Sequence, residues 1–299
     1  MSAETLFLTG AGGFIGRHLL ERMDGSGRAV VCLSRQSRPE EPGRRWVLGD
    51  LEDPSSFSDA LAGCEAVVHL GALTGKARAA DYERVNVEGT RSLLEACRSA
   101  GVKRFLYVST IATHYPEKRR YPYARSKERA EGLVRSSSLE WTIMRPTIVL
   151  GRDSPIWISL CKLARMPLTP VFGGGKVHVQ PVSVDDVADC ILTWVRRGRM
   201  RGEQIDVGGP EVLSFRDLLR RTRRALRGKE SGLLPVPLKS AMAVLSLLEP
   251  FFLAALPLTA GQLYAFRYDS TAQPSDFMVQ RCDRLTRIDA LIEELARDA

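Results

Sequence analysis

A tyrosine and a lysine four residues apart carry the clearest signal for chemistry in this sequence. Tyr123 and Lys127 lie in the run Tyr-Ala-Arg-Ser-Lys, whereas Tyr121 has no lysine four residues later. A tyrosine hydroxyl, with a pKa of roughly 10, exchanges protons at neutral pH only when its phenolate is stabilised. A lysine on the same helical face supplies that stabilisation. The pair predicts acid–base catalysis, and the alternative is an exposed tyrosine beside a surface lysine.

A glycine-rich turn near the start of the chain predicts a nucleotide site. Gly10, Gly13 and Gly16 follow the apolar run Leu-Phe-Leu and lead into a helical pattern that includes Phe14 and Ile15. Glycine permits a tight turn and a close approach of backbone to pyrophosphate, while the N–H groups at a helix start face the anion. We expect a dinucleotide to contact all five of these residues.

Strand patterns alternate with helical patterns along most of the chain. The strand patterns lie at residues 5–9, 29–33, 46–48, 66–70, 105–109 and 141–144, and the clearest helical pattern covers 82–99. This alternation predicts an α/β fold with a doubly wound parallel sheet, the Rossmann fold. We expect residues 1–150 to form a dinucleotide-binding domain whose sheet is completed by segments near 178–190 and 203–208. Residues 151–299 would then form mainly a smaller substrate-binding lobe.

The wording of the glycine-rich turn points to a particular family. Residues 9–16 read Thr-Gly-Ala-Gly-Gly-Phe-Ile-Gly, with three-and-three glycine spacing instead of Gly-x-Gly-x-x-Gly. This resembles the short-chain dehydrogenase/reductase superfamily and, within it, the extended NAD(P)-dependent epimerase/dehydratase family. The resemblance runs from Leu6 to about Phe215. It implies an oxidoreductase that transfers a hydride between a nicotinamide cofactor and the hydroxyl or carbonyl group of a small molecule.

The resemblance assigns roles to the candidate catalytic residues. Tyr123 and Lys127 stand after the fifth strand, where the superfamily carries its catalytic pair. Residues 108–110, Val-Ser-Thr, resemble the family's Val-Ser-Ser segment, whose hydroxyl donates to the substrate oxygen. Register favours Thr110 for this role, with Ser109 as the alternative. In a carbonyl reduction Tyr123 would protonate the oxygen, and Lys127 would also hold the nicotinamide ribose.

Further cofactor contacts follow from the same resemblance. Asp50, followed by Leu51, looks like the acidic position that accepts a hydrogen bond from the adenine amino group, although a helix cap before Pro54 explains it equally well. The family pattern also leaves His69 and Asn86 with structural roles. Residues 69–72 and 145–148 resemble segments that line the cofactor, which adds Leu70, Gly71, Ala72, Pro146 and Ile148.

The choice between the two nicotinamide cofactors depends on the end of the second strand. An acidic residue there binds the adenosine ribose in NAD enzymes, and an arginine accommodates the extra phosphate of NADP. Here Ser34 stands in the acidic position, and Arg35 and Arg38 are available for a phosphate. NADP is therefore the preferred cofactor, and NAD stays open.

Two features limit the substrate and leave a second function open. Sugar-nucleotide epimerases carry an asparagine after the Arg-Pro segment, whereas this chain has Thr147 there, which argues against a sugar nucleotide. Residues 180–188 and the proline-rich tail resemble an atypical branch that includes the NDUFA9-like subunit of respiratory complex I. Many of its members bind NADPH structurally, so the alternative is a cofactor-holding scaffold or assembly protein without turnover. The Tyr123 and Lys127 pair favours an enzyme.

Cysteine usage and charge narrow the classes of ligand. Six cysteines lie scattered without a Cys-x-x-Cys pair, which predicts buried free thiols and no metal site. The net charge of +8 concentrates in arginine clusters without interleaved aromatic residues, so we expect a solvated face and no nucleic-acid partner. The larger cluster comprises Arg216, Arg220, Arg221, Arg223, Arg224, Arg227 and Lys229 on a helix that begins after Ser214.

The ends of the chain and its most apolar stretch bear on location. No basic leader or long apolar run precedes Thr5, so we expect a cytoplasmic protein, either monomer or homodimer. Residues 233–259 are very apolar, but four prolines and two charged residues interrupt them, which argues against a transmembrane helix. A buried helical pair or a lid is the favoured interpretation, and peripheral contact with a membrane or a partner is the alternative.

Overall fold

Strands and helices alternate in the computed structural model, which describes residues 5–39, 41–197, 201–230, 232–252 and 259–298. The strands of the described residues are β1 (Thr5–Thr9), β2 (Val30–Ser34), β3 (Arg44–Leu48), β4 (Cys64–His69), β5 (Arg104–Val108), β6 (Glu140–Pro146), β7 (Val149–Leu150), β8 (Thr169–Phe172), β9 (His178–Val179), β10 (Val182–Ser183), β11 (Glu203–Val207), β12 (Leu213–Ser214) and β13 (Leu233–Val236).

The helices of the described residues are α1 (Phe14–Met23), α2 (Ala79–Tyr82), α3 (Gly89–Ser99), α4 (Pro122–Arg135), α5 (Pro155–Arg165), α6 (Val184–Arg197), α7 (Phe215–Arg227), α8 (Leu238–Phe252), α9 (Ala260–Tyr264), α10 (Asp276–Val279) and α11 (Ile288–Arg297). Short 3₁₀ turns lie at Pro54–Ser56, Ser58–Leu61, Ile111–His114, Gly173–Gly175, Ala265–Arg267 and Cys282–Arg284.

Seven parallel strands form the central sheet, in the order β3-β2-β1-β4-β5-β6-β11. The strand order reverses at β1, which pairs with β2 on one side and with β4 on the other. Phe7 of β1 lies opposite both Val31 and Val67. This is the strand order of a Rossmann fold, extended by one strand. Because helices cover both faces of such a sheet, its central strands are mainly apolar; Phe7, Val67, Phe105 and Ile143 are completely buried. The predicted fold class is confirmed.

The predicted segments fall on these strands with small shifts at their ends. The first is Thr5–Thr9 as expected, and the segment near 203–208 joins the sheet as β11 beside β6. The expectation for 178–190 is wrong: β9 and β10 form two-stranded ladders with β12 and β7, and the rest of that segment is α6. These strands are only two residues long, too short to extend a sheet of five-residue strands.

The helical pattern at 82–99 is interrupted in the structure. Residues Glu83–Glu88 form a π-helical turn between α2 and α3. A π turn inserts an extra residue into a helix and is frequent at functional sites. Here it carries Asn86, which is 1% exposed.

The chain divides into two compact units. The first contains residues 1–110, 123–145 and 187–205, and the second contains 111–122, 146–186 and 206–299. Each unit is discontinuous in sequence. The first unit holds the glycine-rich turn, Thr110, Tyr123 and Lys127, whereas Pro146 and Ile148 belong to the second.

Helix α7 begins and packs as its sequence predicts, with one exception. The Ser214 hydroxyl caps it by accepting the Asp217 N–H at 3.1 Å. Leu218 and Leu219 are completely buried in the core of the second unit. The prediction of a fully solvated arginine face is wrong for Arg223, which is 3% exposed because its guanidinium binds groups at the end of α5.

The apolar stretch at 233–259 forms β13 and α8, and residues 253–258 lie outside the described residues. Met242 of α8 packs against Leu263 and Tyr264 of α9. The expectation of a buried helical pair within 233–259 is wrong for the described residues, because α9 begins only at Ala260 and Val244 and Leu247 of α8 are 57% and 73% exposed. Within the described ranges, no helix has the length and apolar character needed to cross a bilayer. All cysteines are free thiols, and only Cys282 is exposed.

Candidate active site

The glycine-rich turn joins β1 to α1 and packs against the end of β4. Gly10 has a φ of +70°, and a Cβ atom there would lie 2.7 Å from the Gly71 nitrogen. A Cβ atom on Gly16 would collide with the carbonyl oxygen of Gly10. Both positions therefore require glycine. Since α1 begins directly after the turn, at Phe14, its first N–H groups are placed to receive an anion.

A chain of hydrogen bonds fixes the loop after β4. The Gly71 N–H donates to Thr9 Oγ1 at 3.0 Å, and Thr9 Oγ1 lies 2.6 Å from His69 Nδ1. His69 Nε2 lies 3.0 Å from the Thr90 hydroxyl, which donates to the Asn86 carbonyl at 2.6 Å. Thr90 must therefore accept from Nε2–H, while Thr9 donates to Nδ1. Burial lowers the pKa of His69 to about 3, so the ring is neutral and its role is structural.

The end of β2 brings one of the two predicted phosphate-binding arginines to the glycine-rich turn. A Cβ atom on Gly12 would lie 2.9 Å from Arg38 Nη2, so this guanidinium rests against the turn. Arg38 also lies 5.6 Å from the centre of the Trp46 ring. The Ser34 hydroxyl is engaged locally, since it donates to the Gln36 carbonyl at 2.8 Å. Arg35 is exposed.

Asp50 and Leu51, which follow β3 and Gly49, have separate environments. One oxygen of Asp50 accepts the Glu52 N–H at 3.1 Å. The cap of the helical turn at Pro54–Ser56 is Asp53, so the alternative interpretation of Asp50 as that cap is wrong. Leu51 is buried and lies against the loop after β4 and the start of α3, because Cβ atoms on Gly71 and Gly89 would each approach its side chain to about 3 Å. Leu51 therefore supports the loop that contains Leu70, Gly71 and Ala72.

The structure brings Thr110 and Tyr123 together. A hydrogen bond joins their hydroxyl groups, and the Tyr123 ring lies 5.9 Å from that of Tyr82. Burial and, to a lesser extent, the neighbouring Tyr82 raise the pKa of Tyr123 to about 12, although the bond to Thr110 opposes the rise. Ser109, the alternative to Thr110, is buried near Glu131 and helps to lower the pKa of that carboxyl group. Its hydroxyl forms no hydrogen bond of acceptable geometry with the described residues.

Lys127 lies one helical turn beyond Tyr123 and is 2% exposed. Its Nζ donates to the Val108 carbonyl at 2.8 Å and lies 4.1 Å from the centre of the Tyr107 ring. Burial lowers the pKa of Lys127 to about 7, partly offset by the charge of Glu131. The expected lowering of the Tyr123 pKa is wrong here, because burial of the phenol dominates.

Asn86 anchors the start of α4 to the loop after β4. Its Oδ1 accepts the Leu73 N–H at 2.7 Å, and its Nδ2 donates to Ser126 Oγ at 3.0 Å. Ser126 in turn donates to the Tyr123 carbonyl at 2.8 Å. The network holds the backbone of Tyr123 in place, which gives Asn86 the structural role expected for it.

The sequence analysis missed a buried ion pair between Glu131, one helical turn after Lys127, and Arg145. Glu131 accepts two hydrogen bonds from Arg145, at 2.8 and 2.7 Å, and both side chains are buried. Arg145 also donates to Gln204 at 2.5 Å. Burial would raise the pKa of Glu131, but hydrogen bonds from Arg145 and its neighbours hold it below the ordinary value. The signal was the four-residue spacing of Tyr123, Lys127 and Glu131, which places all three on one face of α4.

The end of β6 and the residues that follow it have different surroundings. Pro146 is buried and Ile148 is half-buried. The Thr147 hydroxyl donates to the backbone carbonyls of Gln180 and Val207. Thr147 is therefore committed to the fold. Among the described residues, no cluster of His, Cys, Asp or Glu could hold a metal ion.

A glycine-rich turn at the switch point of a parallel sheet, with a hydroxyl, a tyrosine and a lysine beyond β5, defines a dinucleotide-binding protein of the Rossmann class. The model of the NAD dependent epimerase/dehydratase family matches residues 6–208. The chain belongs to this family, which confirms the resemblance seen in its motifs.

Three relatives of known name are similar to the chain. The 2-alkyl-3-oxoalkanoate reductase of Stenotrophomonas maltophilia is 32% identical over 61% of this chain and 62% of its own length. The 4-hydroxy-2-methyl-3-oxo-4-farnesyl-3,4-dihydroquinoline-1-oxide ketoreductase of Stigmatella aurantiaca is 29% identical over 84% and 81%. NADH dehydrogenase [ubiquinone] 1 alpha subcomplex subunit 9 of Arabidopsis thaliana is 28% identical over 78% and 61%. The match spans less than two thirds of the first and third relatives.

Solved structures share the fold. The dTDP-glucose 4,6-dehydratase DesIV of Streptomyces venezuelae, with NAD and TYD bound, has a TM-score of 0.67 and 26% identity, covering 78% of this chain and 84% of that one. MoeE5 in complex with UDP-glucuronic acid and NAD has a TM-score of 0.74 over 99% of this chain and 100% of its own. At 23% identity, the second likeness shows the fold alone.

Proposed function

We propose that the protein is an NAD(P)-dependent oxidoreductase that reduces a ketone on a largely apolar small molecule. The observation that carries the proposal is the hydrogen bond between Thr110 and Tyr123, with Lys127 on the same face of α4. The three groups lie beyond the carboxyl end of β5, in the same unit as the glycine-rich turn. A substrate bound there would meet a hydroxyl donor and a proton donor together.

The residues present fit a dinucleotide. The turn around Gly10 and the start of α1 would hold the pyrophosphate, and Asp50 retains an oxygen that could accept from an adenine amino group. Leu51 and the loop at Leu70, Gly71 and Ala72 would line the groove. Lys127 is proposed to contact the nicotinamide half. When bound, the nicotinamide supplies or accepts the hydride.

The protonation state of Tyr123 favours reduction. With a pKa of about 12, its hydroxyl is protonated throughout the neutral range, so it can donate a proton to a carbonyl oxygen. Thr110 would hold the same oxygen by a hydrogen bond. Oxidation of an alcohol would instead require the phenolate, which burial disfavours. Lys127, with a pKa of about 7, would be partly charged and could favour proton release from Tyr123 as the reaction proceeds.

The proposed substrate class rests on one residue and two names. Thr147 is bound to backbone carbonyls, so it offers no replacement for the asparagine that binds a sugar nucleotide in epimerases. Two similar proteins are named as reductases of a 3-oxoalkanoate and of a farnesylated 3-oxo compound. A ketone that carries a long apolar group is therefore the first substrate to test.

We infer a preference for NADP from Arg38. Its guanidinium lies against Gly12 of the turn, close to where an adenosine ribose would follow the pyrophosphate. Arginine binds phosphate by paired hydrogen bonds, and no acidic side chain follows Ser34 before Arg38. The solved relatives contain NAD, so NAD binding is the competing expectation.

A cofactor-holding scaffold is the second candidate, because the chain is also similar to a subunit of NADH dehydrogenase. Such a protein would bind the reduced cofactor without oxidising it.

The experiment follows the absorbance of reduced nicotinamide with 3-oxoalkanoate esters of increasing chain length. Tyr123→Phe removes the proton while keeping the ring, so turnover should fall roughly a hundredfold while cofactor affinity barely changes. Tyr121→Phe, two residues away and outside the Tyr–Lys spacing, is the matched control. Tight cofactor binding without turnover of any ketone would favour the scaffold, and full activity of Tyr123→Phe would reject the assigned acid.

A further inference from the structure

Two arginines of α7 fix the loop that follows α5. The buried Arg223 donates through Nη1 to the Met166 carbonyl at 2.8 Å and to Thr169 Oγ1 at 2.6 Å. Arg227 donates to the carbonyls of Arg165 and Met166 at 2.7 and 3.0 Å. These bonds satisfy carbonyl groups that the end of a helix leaves without partners. The loop is thereby held in one conformation, instead of collapsing onto the core.

The fixed loop displays aliphatic side chains to the outside. Met166 is 42% exposed and Leu168 is 60% exposed. Leu234 of the neighbouring β13, which pairs with β8 directly after the loop, is 49% exposed. Ile158, 45% exposed, lies on α5 about two helical turns before the loop. These four side chains are called the aliphatic patch.

Cations accompany the aliphatic patch. Lys162 of α5 lies four residues after Ile158, and Arg165 is the last residue of α5, directly before the loop. Both side chains are exposed. Arg227, also exposed, contacts the loop backbone directly. Long basic side chains can keep their heads in an interface while their stems lie on apolar surface. Aliphatic side chains with such a cationic border are typical of surfaces that rest on a negatively charged bilayer.

The composition of the patch argues for lipid over nucleic acid. Binding of nucleic acid uses aromatic side chains on which bases stack, and the patch consists of isoleucine, leucine and methionine. Aliphatic chains enter the acyl boundary of a bilayer, and cations bind its anionic headgroups.

We propose that this face docks the protein reversibly on an anionic lipid bilayer. Ile158, Met166, Leu168 and Leu234 would enter the headgroup and acyl boundary, and Lys162, Arg165 and Arg227 would contact lipid phosphates. None of these residues belongs to the proposed active site, so docking and turnover can be tested separately.

The test measures co-sedimentation of the full chain with phosphatidylcholine vesicles, with and without phosphatidylglycerol. Replacing Met166, Leu168 and Leu234 together by serine should lower the partition coefficient at least about tenfold. Reversing Lys162 and Arg165 to glutamate should lower it at least about fivefold per cation, most clearly at low salt. The matched control replaces Leu48 and Val279, which are 63% and 65% exposed elsewhere, by serine and should bind like the wild type.

Three results would overturn the proposal. The first is no binding to phosphatidylglycerol vesicles, and the second is equal binding to vesicles with and without the anionic lipid. The third is a triple serine variant that keeps vesicle binding but loses a dimer in analytical ultracentrifugation, which would make the patch a contact between copies of this chain. Circular dichroism of each variant verifies that it is folded.

Discussion

Replacement of Lys127 by methionine should make the protein more stable while removing its proposed activity. The lysine is enclosed by the fold, and burial lowers its pKa from 10.5 to about 7. The unfolded chain keeps the proton up to pH 10.5, whereas the folded chain releases it at about 7. Folding is therefore penalised fully below pH 7, and the penalty fades as the pH rises toward 10.5.

The magnitude follows from the two pKa values. At ~1.4 kcal/mol per pKa unit, the penalty is about 5 kcal/mol below neutrality and about 2 kcal/mol near pH 9. Methionine has a similar length and no charge, but it loses the hydrogen bond to the Val108 carbonyl, which contributes about 1 kcal/mol. The variant should then gain about 4 kcal/mol at about pH 6 and about 1 kcal/mol at about pH 9.

Urea unfolding at those two pH values measures the difference between variant and wild type. Lys103→Met, at an exposed position, is the control and should change stability by less than about 0.5 kcal/mol at either pH. A Lys127→Met variant that is no more stable than the wild type at the lower pH would refute the burial argument. So would a gain that does not shrink with rising pH.

Other substitutions test the surroundings of the site. Glu131→Gln should destabilise the fold by about 3–5 kcal/mol, because Arg145 would keep a buried charge without its carboxylate; Glu95→Gln on the exposed side of α3 is the control, and equal unfolding midpoints would contradict the buried pair. Arg38→Asp should reverse a preference of the wild type for NADPH over NADH in fluorescence titration, because Arg38 lies against the turn. Arg35→Asp should have the smaller effect. Equal affinities of the wild type for both cofactors would remove the basis of the NADP proposal.

The sheet could be predicted because most of its strands contain a short apolar run of their own. The segment 5–9 is buried on both faces, so its pattern depends little on its neighbours. The helical pattern at 82–99 was predicted as one helix because a π turn preserves the general helical periodicity. The ladders of β9 and β10 were not foreseen, since strands of two residues carry no periodic signal.

The candidate site was predictable where its chemistry lies in a short motif. Tyr123 and Lys127 share one helix, and Thr110 follows one strand. The sequence placed Arg145 only in a segment that resembles one lining the cofactor. It could not show that the Arg145 side chain binds Glu131, 14 residues earlier. Arg223 was likewise grouped with surface arginines, because helical periodicity does not tell which arginine meets the carbonyls at the end of another helix.

The environments of Tyr123 and Lys127 set the protonation states in which the proposed site rests. Burial acts on both groups by disfavouring their charged forms, so it retains the proton on the phenol and promotes its loss from the ammonium. In the proposed reduction, Tyr123 starts with the proton that the carbonyl oxygen must receive. The negative charge of the resulting phenolate would then favour the protonated form of Lys127. The negative charge of Glu131, held in place by Arg145, opposes the effect of burial and raises the pKa of Lys127. Lys127 can therefore still hold a proton near neutral pH.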